Sequence, residues 1–492
     1  MAEQVVTKVQ IVADLRKLGL EAGDIVLVHS SLSSIGRVEG GAAAVIEALL
    51  EVLTRAGTLV MPAFNWSRPY DPNLPSVVGV IPETFRQRPD VVHGFHPTHP
   101  VTALGARAAD LVADHLKSPT ACGRDTPFGR LITLGGKILL LGVDHDRSTT
   151  MHTLEAYAQA PYLSDVEASY YDAEGKVQTT ELTLQPGPHR DFIGLDPLFQ
   201  KEGVERVGKV GRARSRLVDA RKMHDVMLAA FRDDPALVLC DNPNCDACVM
   251  QRRKIRLARL QQEAFRLSAL ASSVSSYPDE IAYELNRAGI YDLVLDRLYG
   301  QPMWAVREAR LTRAAATFAS EGLAVGAVHV PADLSALDRS LDLVAAAGAK
   351  AAIAAFPPDP IPFLEAAAQR GLEMLFENTS FPSALCLQLL ATAPAGPMVA
   401  FNPAAFALVG EKPFLDIINH GPFRRYVGLL YLSDATFGGE YTLPGRGHGE
   451  VKELLSILRC RSFSGRVVVA TGPGGPGFRE LVEGFWRLMD TS

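Results

Sequence analysis

The spacing of apolar and polar positions divides the chain into two differently organised halves. In the first half, apolar runs between polar turns predict strands at Ile25–His29, Thr58–Met61 and Lys137–Gly142. Apolar residues at helical spacing predict helices at 5–18, 41–55, 150–160 and 219–232. The turn residues 172–175 between two extended segments, 168–171 and 177–184, predict a hairpin. The first half is therefore expected to be a mixed α/β domain.

The second half repeats one pattern, an apolar run followed by a helical segment. The eight runs are Leu267–Ala271, Tyr291–Leu295, Ala324–Val330, Ala351–Phe356, Glu373–Glu377, Met398–Asn402, Tyr426–Leu432 and Arg466–Ala470. Eight βα units in succession are typical of a (β/α)8 barrel. The predicted fold class is therefore α/β throughout, with a mixed domain followed by a TIM barrel.

The change of pattern near residue 245 predicts the domain boundaries. We expect an N-terminal domain at 1–245, a basic linker helix within 246–262, and the barrel at 263–492. A chain of 492 residues agrees with two domains, because single cores stop growing beyond ~250–300 residues. The arginines of the linker helix are expected to form a solvated face.

Composition then narrows the function. The chain is 47% hydrophobic and 21% charged, with a net charge of −6. A net negative charge argues against nucleic acid as the main partner, since phosphate binding needs basic patches. No apolar run approaches the ~20 residues of a membrane span, and no secretory signal pattern is visible. We expect a cytoplasmic protein that acts on a small molecule without nucleic acid or membrane partners, and a homodimer is compatible with the sequence.

One turn in the first half is rich in hydroxyls and glycines. It follows the first strand and contains His29, Ser30, Ser31, Leu32, Ser33, Gly36, Arg37, Val38, Gly40 and Gly41. Backbone N–H groups at the start of the following helix suit an anion such as the pyrophosphate of coenzyme A. No Gly-Lys-Ser/Thr follows, so this is not a Walker loop. By spacing alone, a Ser/Gly-rich loop that caps a helix fits equally well.

Further motifs follow this turn in a fixed order. They are Val28–Leu32, Gly57–Pro62, Ile81–Glu83, Phe85–Arg86, His96–His99, Leu104–Gly105, Thr126–Gly129, Leu141–Val143, Thr149–Glu155 and Arg190–Phe192. The ordered set, over residues 10–230, resembles the aminoglycoside 3-N-acetyltransferase family. This resemblance implies a transferase that moves an acetyl group from acetyl-CoA to an amine of an aminoglycoside, as in antibiotic resistance, with the donor along the Ser30–Gly41 loop.

The strongest catalytic candidates are His152 and Glu155. Amine acylation requires a neutral nucleophile, and a histidine that titrates near neutrality can remove the proton. Glu155 shares a helical face with His152 and can orient the ring or hold the substrate ammonium. The resemblance implies that His152 is the general base, whereas spacing alone would favour a structural histidine. An acyl-enzyme on Ser30 or Ser31 has no visible His/Asp partner pattern.

The acceptor is expected to meet acidic and hydroxyl groups. The substrate candidates are Asp71, Glu83, His96, Asp144, Thr149 and Glu155. Asp144 and Asp146 follow the central strand and can attract a polycation, although acidic residues before a helix are also common dipole partners. Asp71 and Glu83 lie in a Pro-rich segment, where plain surface charge is an equal alternative.

Two groups of metal-type residues remain. His93, His96 and His99 are close in sequence, but the resemblance implies a structural or substrate-shaping role for the His-Pro motif. Pro100 stands where that family commonly has Ser, which puts one local contact in question. Cys240, Cys245 and Cys248 have zinc-knuckle or redox spacing, but no His follows closely, so free thiols in a linker are favoured. No metal cofactor is expected.

The barrel resembles the sugar isomerase/epimerase superfamily related to xylose isomerase, through His329 before Pro331 and through Glu377-Asn378. That resemblance implies a divalent metal bound at the strand ends. The pattern is degraded, because Asn402, Tyr431 and Thr471-Gly472 replace expected ligands while Asp434 remains. We expect a barrel that binds a sugar-like ligand, supports a dimer or extends the acceptor pocket.

Two functions follow from these residues. The favoured one is an acyltransferase (EC 2.3.1.-) that acetylates an aminoglycoside or related amino sugar, with His152 as general base. The alternative is a metal-dependent sugar isomerase or epimerase with an acyltransferase-like accessory domain. The sequence does not identify the acceptor or the acyl group.

Overall fold

The computed structural model describes residues 5–184, 189–379, 381–391, 398–419 and 421–491. The chain divides into two compact units, Met1–Ile255 and Arg256–Ser492. The division falls inside a helix, Asp246–Leu260, in the segment where the sequence predicts a linker helix. No helix among these described residues has the length and apolar character that crossing a bilayer requires.

The first unit is built on a seven-stranded mixed sheet. The nine strands of this unit are β1 Ile25–Ser30, β2 Thr58–Pro62, β3 Val92–Gly94, β4 Val101–Gly105, β5 Lys137–Leu141, β6 Ser164–Tyr171, β7 Val177–Leu184, β8 Glu205–Val210 and β9 Ala213–Asp219. The sheet order is β3-β4-β2-β1-β5-β9-β8, while β6 and β7 form a separate hairpin, as predicted. β1 pairs in parallel with β2 and β5, and the outer pairs are antiparallel.

Helices cover both faces of this sheet. The α-helices are Lys8–Leu18, Leu32–Ile35, Gly41–Leu53, Val80–Arg86, Ala108–Val112, Pro127–Thr133, Thr153–Ala158, Asp196–Glu202 and Ala220–Asp233, with 3-10 turns at His115–Lys117, His145–Arg147, Thr149–His152 and Ile193–Leu195. Alternate residues of β1 enter opposite cores, Leu27 on one face and Val26 and Val28 on the other. The period of two along a buried strand produces this division.

Two helix boundaries differ from the predicted ones for local reasons. The first helix begins at Lys8, after the predicted start, because the Thr7 hydroxyl accepts a hydrogen bond from the Gln10 N–H and caps it. The predicted helix at 150–160 begins as a 3-10 turn, and the α-helix proper starts at Thr153. His152 therefore lies at the junction of the turn and the helix.

The second unit is a closed barrel of eight parallel strands, which confirms the predicted fold class. The barrel strands are Arg266–Leu270, Asp292–Leu295, Ala324–His329, Ala351–Ala355, Glu373–Glu377, Val399–Phe401, Val427–Leu432 and Arg466–Val469. Each lies within one residue of its predicted bounds. Most of the hydrophobic side chains in these strands are buried, as parallel strands covered by helices require.

Helices and short hairpins connect the barrel strands. The helices are Ala271–Val274, Pro278–Ala288, Met303–Ala305, Glu308–Ser320, Leu334–Ala346, Ile361–Ala368, Ser383–Leu390, Pro403–Leu408, Pro413–Ile418, Pro422–Tyr426, Val451–Cys460 and Phe478–Thr491. Two hairpins, Arg297–Leu298 with Gln301–Pro302 and Asp434–Ala435 with Tyr441–Thr442, follow the second and seventh barrel strands.

Candidate active site

A cavity lies where two central strands of the first unit end. β1 and β5 run in parallel, and Ser30 pairs with Leu141 at their carboxyl ends, so the loops that follow them meet at one edge. The cavity has a volume of about 640 Å³. Its lining combines His29 and Ser30, the last two residues of β1, with aromatic and apolar residues of the segment between 62 and 99. After β5 it includes Val143, Asp146, Arg147, Ser148, Thr149 and His152.

His152 lines this cavity and is held from behind by a carboxylate. The Nδ1 atom of His152 lies 2.6 Å from Oε2 of Glu155, and the other carboxylate oxygen of Glu155 accepts a hydrogen bond of 2.6 Å from Nε of Arg190. The Glu155 side chain is fully buried, whereas that of His152 is 19% exposed. Because an ionised carboxylate only accepts hydrogen bonds, Nδ1 is the donor to Glu155, and in the neutral ring Nε2 is the nitrogen that keeps a free lone pair.

The surroundings of Glu155 favour its ionised form. Burial alone would raise its pKa, but the hydrogen bond and charge of His152 and the guanidinium of Arg190 outweigh burial and lower the pKa below its ordinary value. The Arg190 guanidinium also lies over the Tyr162 ring, at 5.3 Å from its centroid. The edge of the Phe192 ring packs against His152 at 5.0 Å. The histidine is therefore fixed on two sides.

Two aromatic side chains also line this cavity. Phe64 and Trp66 line the cavity with ring centroids 5.2 Å apart. The Trp66 side chain is 60% exposed, and its backbone has a φ of 58°, which is uncommon for a residue other than glycine. An exposed tryptophan held in this way gives the cavity a flat apolar surface. The sequence interpretation missed both residues, because an aromatic residue in a loop belongs to no periodic pattern.

The buried histidines near the cavity are neutral. Burial lowers the pKa of His29 to about 3 and that of His99 to about 3, and both residues line the cavity. His96 is completely buried, and its Nδ1 accepts hydrogen bonds from the backbone N–H groups of Thr98 and His99 at 3.2 and 3.1 Å. The His96 and His115 rings stack at 4.4 Å. His96 shapes the loop and does not reach the cavity lining.

The predicted donor loop leaves the cavity after its first two residues. Along the loop beyond the lining lie Ser31, Leu32, Ser33, Gly36, Arg37, Val38, Gly40 and Gly41. Gly36 and Gly40 have φ values of 101° and 78°, and these left-handed turns lead into the helix Gly41–Leu53. This helix begins without a side-chain cap. The Gly41 N–H bonds to the Val38 carbonyl at 3.1 Å, so an anion would be met by the N–H groups that follow Gly41 in the first turn.

Hydroxyl groups without partners lie at the beginning of the loop and across from it. Within the described part of the chain, Ser30 Oγ, Ser148 Oγ and His29 Nε2 are buried and have no hydrogen-bond partner. Ser31 differs, because its hydroxyl bonds to those of Ser33 and Ser34 at 3.1 and 2.9 Å. Buried polar atoms are usually paired, so unpaired ones in a cavity wall favour a ligand or ordered water there.

Two of the predicted substrate acids are committed to arginines. Asp144 accepts a hydrogen bond of 3.0 Å from Arg216. Glu83 is bound by Nε of Arg86 at 2.8 Å, and the resulting ion pair lowers the pKa of Glu83. Neither carboxylate lines the cavity. The structure therefore does not bring Asp144 and Glu83 to the histidine.

The remaining substrate candidates also divide into residues that line the cavity and residues that lie outside it. Thr149 lines the cavity next to Ser148. Asp71 lies outside the lining, and its Oδ1 accepts the Asn73 N–H at 2.9 Å within its own loop. Asp146, which follows the central strand, lines the cavity with its carboxylate 3.4 Å from Arg147. Of the acidic candidates Asp71, Glu83, Asp144 and Asp146, Asp146 is therefore the one in the cavity lining.

The barrel has its own cavity of about 590 Å³ at the carboxyl ends of its strands. Glu377, Asn402 and Tyr431 line it, and Asn402 Nδ2 donates to Glu377 Oε1 at 2.8 Å. The hydroxyl of Tyr431 lies 2.9 Å from His329 Nε2. These side chains form a polar network in which the Glu377 carboxylate is already partnered.

Asp434, the acidic residue that the sequence retains from the expected metal site, binds backbone N–H groups instead. Its Oδ2 accepts the N–H groups of Gly445 and Gly447, and its Oδ1 accepts those of Gly449 and Ala435. The carboxylate thus holds the 445–449 loop and does not line the barrel cavity. Across the described residues, the barrel does not bring three His, Cys, Asp or Glu side chains together as a metal site.

The cysteine cluster gains a member that the sequence interpretation missed. The ligand atoms of His189, Cys240, Cys245 and Cys248 all lie within 4.8 Å of one another. Zinc-knuckle spacing leads one to expect a histidine soon after the cysteines, whereas His189 precedes them by 51 residues or more in the chain. Arg190, the residue that holds Glu155, is its immediate neighbour.

Comparisons with known proteins agree on the first unit. A family model described as aminoglycoside 3-N-acetyltransferase matches residues 27–232 and so ends before the first barrel strand. The chain is 32% identical to aminoglycoside N(3)-acetyltransferase IV of Salmonella sp. over 239 residues, which cover 47% of this chain and 90% of that enzyme. It is 33% identical to aminoglycoside N(3)-acetyltransferase VII of Streptomyces paromomycinus over 264 residues, which cover 46% of this chain and 91% of that enzyme.

Solved structures of similar proteins cover the same share of the chain. The apoenzyme of aminoglycoside acetyltransferase AAC(3)-IVa is 28% identical, covers 51% of this chain and 99% of its own, and has a TM-score of 0.48. A second structure, AAC-IIIb solved as a binary complex with CoASH, is 27% identical and has a TM-score of 0.44. The match covers 46% of this chain and 97% of that protein.

Proposed function

Because the chain belongs, through its first unit, to the aminoglycoside 3-N-acetyltransferase family, we propose that this unit acetylates an amine of an aminoglycoside or related amino sugar, with acetyl-CoA as donor and His152 as general base. The observation that carries the proposal is the His152–Glu155–Arg190 arrangement. It places a free imidazole nitrogen in a cavity while a buried ion pair fixes the other side of the ring.

The reaction needs one proton acceptor in the cavity. The amine attacks the thioester carbonyl, a C–N bond forms, and the C–S bond breaks with release of the thiol. Nε2 of His152 takes the proton that the amine loses, and the departing sulfur gains a proton. General base catalysis of this kind contributes about 10²- to 10⁴-fold to the rate.

Glu155 and Arg190 are positioning residues in this scheme. The Glu155 carboxylate keeps the proton on Nδ1 of His152 and stabilises the imidazolium while it carries a second proton. Arg190 in turn neutralises Glu155, which is fully buried and would otherwise be an isolated charge. The ring therefore stays in the tautomer that accepts a proton.

We place the donor along the loop that follows β1. The uncapped start of the helix Gly41–Leu53 offers backbone N–H groups to the phosphates. Arg37 is exposed beside it and can add a positive charge. The unpaired atoms Ser30 Oγ and His29 Nε2 lie at the cavity end of this loop, where they suit the polar groups next to the thioester.

We place the acceptor between Trp66 and Asp146. The exposed face of Trp66 suits the apolar face of a sugar ring, and an ammonium group gains from a ring face as well. Asp146 supplies a carboxylate in the same lining. Direct transfer is favoured over an acyl-enzyme, because in the described residues neither Ser30 nor Ser31 has a histidine or carboxylate partner.

The barrel alternative receives less support. A metal-dependent isomerase would use Glu377 and Asp434 together, but both oxygens of Asp434 bind backbone N–H groups of a loop. We propose that the barrel binds a neutral polar ligand at Glu377, Asn402 and Tyr431 without isomerising it. Stoichiometric divalent metal bound at Glu377 would overturn this proposal.

A thiol-release assay tests the proposed function. The full chain is incubated with acetyl-CoA and each of a panel of aminoglycosides, and free thiol is followed with a chromogenic disulfide. We expect acceptor-dependent release, with one acetyl group per acceptor by mass spectrometry and its nitrogen located by NMR. Thiol release that no amino sugar in the panel accelerates above the rate without acceptor would contradict the proposal.

A further inference from the structure

We propose that His189, Cys240, Cys245 and Cys248 bind a structural zinc ion, and that this ion fixes Arg190 against the His152–Glu155 pair. The zinc site itself does not depend on the proposed acetyl transfer. The effect on the reaction rests on that proposed function, so the two parts are tested separately.

The geometry of the four residues fits tetrahedral coordination. A zinc ion with Zn–S bonds of ~2.3 Å and a Zn–N bond of ~2.0–2.1 Å separates a nitrogen from a sulfur ligand by ~3.6 Å and two sulfurs by ~3.8 Å. His189 Nδ1 lies 3.3 Å from Cys248 Sγ and 3.6 Å from Cys245 Sγ. All four ligand atoms lie within 4.8 Å of one another, so small side-chain movements complete the tetrahedron.

The local backbone is arranged to present these thiols. Cys245 and Cys248 lie at the start of the helix Asp246–Leu260, where the N–H of Cys245 bonds to Asn242 and that of Val249 bonds to Cys245. The spacing of two cysteines across such a turn is typical of zinc knuckles.

Backbone contacts bring the other two ligands to the same place. The N–H of Asp191 donates to the carbonyl of Val238 at 2.8 Å, which sets the His189 segment beside the Cys240 segment. Arg252 Nη2 then binds the carbonyl of Cys240 at 2.9 Å. Three separate stretches of chain thus converge on one point, which a metal ion would cross-link.

The donor set selects the class of metal. Three thiols and one imidazole are soft or borderline ligands, and carboxylates are absent from the cluster. Such a set favours Zn²⁺ and disfavours Mg²⁺ and Ca²⁺. Four protein ligands fill a tetrahedral zinc ion and leave no position for a substrate, so the role is structural. His189 is exposed and Cys248 is buried, which gives the ion a path from solvent to the site.

The site is connected to the catalytic pair through one residue. The carbonyl of His189 accepts a hydrogen bond of 2.6 Å from Nη1 of Arg190, and Nε of Arg190 binds Glu155 at 2.6 Å. A metal that fixes His189 therefore limits the positions of Arg190. Arg190 is a positioning residue, so losing the metal should lower kcat more than it changes KM for acetyl-CoA.

The first experiment measures the metal directly in the full chain. Elemental analysis after growth with zinc is expected to give one zinc ion per chain, and replacement by Co²⁺ is expected to give the thiolate-to-metal band of a tetrahedral site. Cys245→Ser should lose both signals, whereas the exposed Cys460→Ser should keep them. If Cys245→Ser fails to fold, chelation of the wild-type protein and readdition of Co²⁺ provide the same comparison.

Two results would overturn the zinc site. One is a purified wild-type chain that holds no stoichiometric zinc and shows no thiolate band with Co²⁺. The other is a disulfide among the three cysteines, found as a loss of two hydrogens in the non-reduced mass, which would indicate redox chemistry instead.

The second experiment measures the connection to Arg190. Chelation is expected to lower kcat by about tenfold or more, as loss of an outer support does at other sites, and zinc should restore it. A metal-loaded chain whose kcat is unchanged by chelation would refute the connection and leave the zinc site standing. A metal-loaded chain with no acetyl transfer at all would instead refute the proposed function.

Discussion

Replacing Glu155 with Gln removes one negative charge and leaves the shape of the side chain almost unchanged. Glu155 is fully buried between Nδ1 of His152 and Nε of Arg190, at 2.6 Å from each. Both neighbours donate hydrogen bonds to it, and an amide has one acceptor oxygen and one donor group. Glu155→Gln can therefore satisfy only one of the two neighbours.

The expected loss of stability or of activity depends on which neighbour, Arg190 or His152, loses its hydrogen bond to residue 155. The Arg190 side chain is 2% exposed, so without the carboxylate of Glu155 a buried guanidinium loses this ion pair. Breaking a buried ion pair costs about 3–5 kcal/mol of stability. If the amide NH₂ faces His152 instead, the ring proton moves to Nε2 and the base is lost. We expect kcat/KM to fall by about 10²- to 10⁴-fold.

Two assays separate these effects. Denaturant unfolding gives the loss in the free energy of unfolding, and thiol release gives kcat/KM at a temperature where the variant is fully folded. Glu167→Gln is the matched control, because Glu167 is exposed on the separate hairpin of the first unit. It should leave both quantities unchanged.

A folded Glu155→Gln variant whose kcat/KM stays within about threefold of the wild-type value would show that Glu155 does not orient the base. A loss of stability without a loss of kcat/KM would show that Glu155 serves the fold and does not orient the base.

Two further predictions concern acid stability and the acceptor. The unfolded chain takes up protons at His29, His96 and His99 near the ordinary pKa of 6.5, whereas burial holds the folded values at about 3, 2 and 3, so the free energy of unfolding falls as the pH is lowered. When the pH is lowered from 7.5 to 5.5, each of these histidines should lower the free energy of unfolding by about 1.4 kcal/mol, as measured by urea denaturation. A urea midpoint that is the same at both pH values would refute the neutral burial of these histidines. Trp66→Ala should raise KM for the aminoglycoside about tenfold and leave KM for acetyl-CoA unchanged, and steady-state kinetics with equal changes in both KM values would show that Trp66 does not face the acceptor.

The fold could be predicted from the sequence where burial produces a regular pattern. The eight barrel strands are parallel and are covered on both faces. Burial on both faces selects apolar residues at nearly every position, so each strand is visible in the sequence as a short apolar run. The ends of helices are predicted less accurately, because a single capping side chain, such as that of Thr7, decides where a helix begins.

The site could be predicted only where its members are close in the chain. His152 and Glu155 share a helical face, so their spacing indicated the pair. Arg190 lies 35 residues beyond Glu155 and shows no spacing signal. The partner of Asp144 is 72 residues away, so the sequence could not show that its charge is neutralised. His189 was missed for the same reason, since it reaches the cysteines through the fold.

In the proposed mechanism, Nε2 of His152 removes the proton of the acceptor amine. The most direct test is kcat/KM for thiol release by His152→Ala, compared with His448→Ala, which replaces an exposed histidine of the barrel. We predict a loss of about 10²- to 10⁴-fold for His152→Ala alone, with acetyl-CoA binding unchanged and a smaller deficit at high pH, where the amine deprotonates unaided. A His152→Ala variant with the same kcat/KM as the wild-type protein would contradict this mechanism.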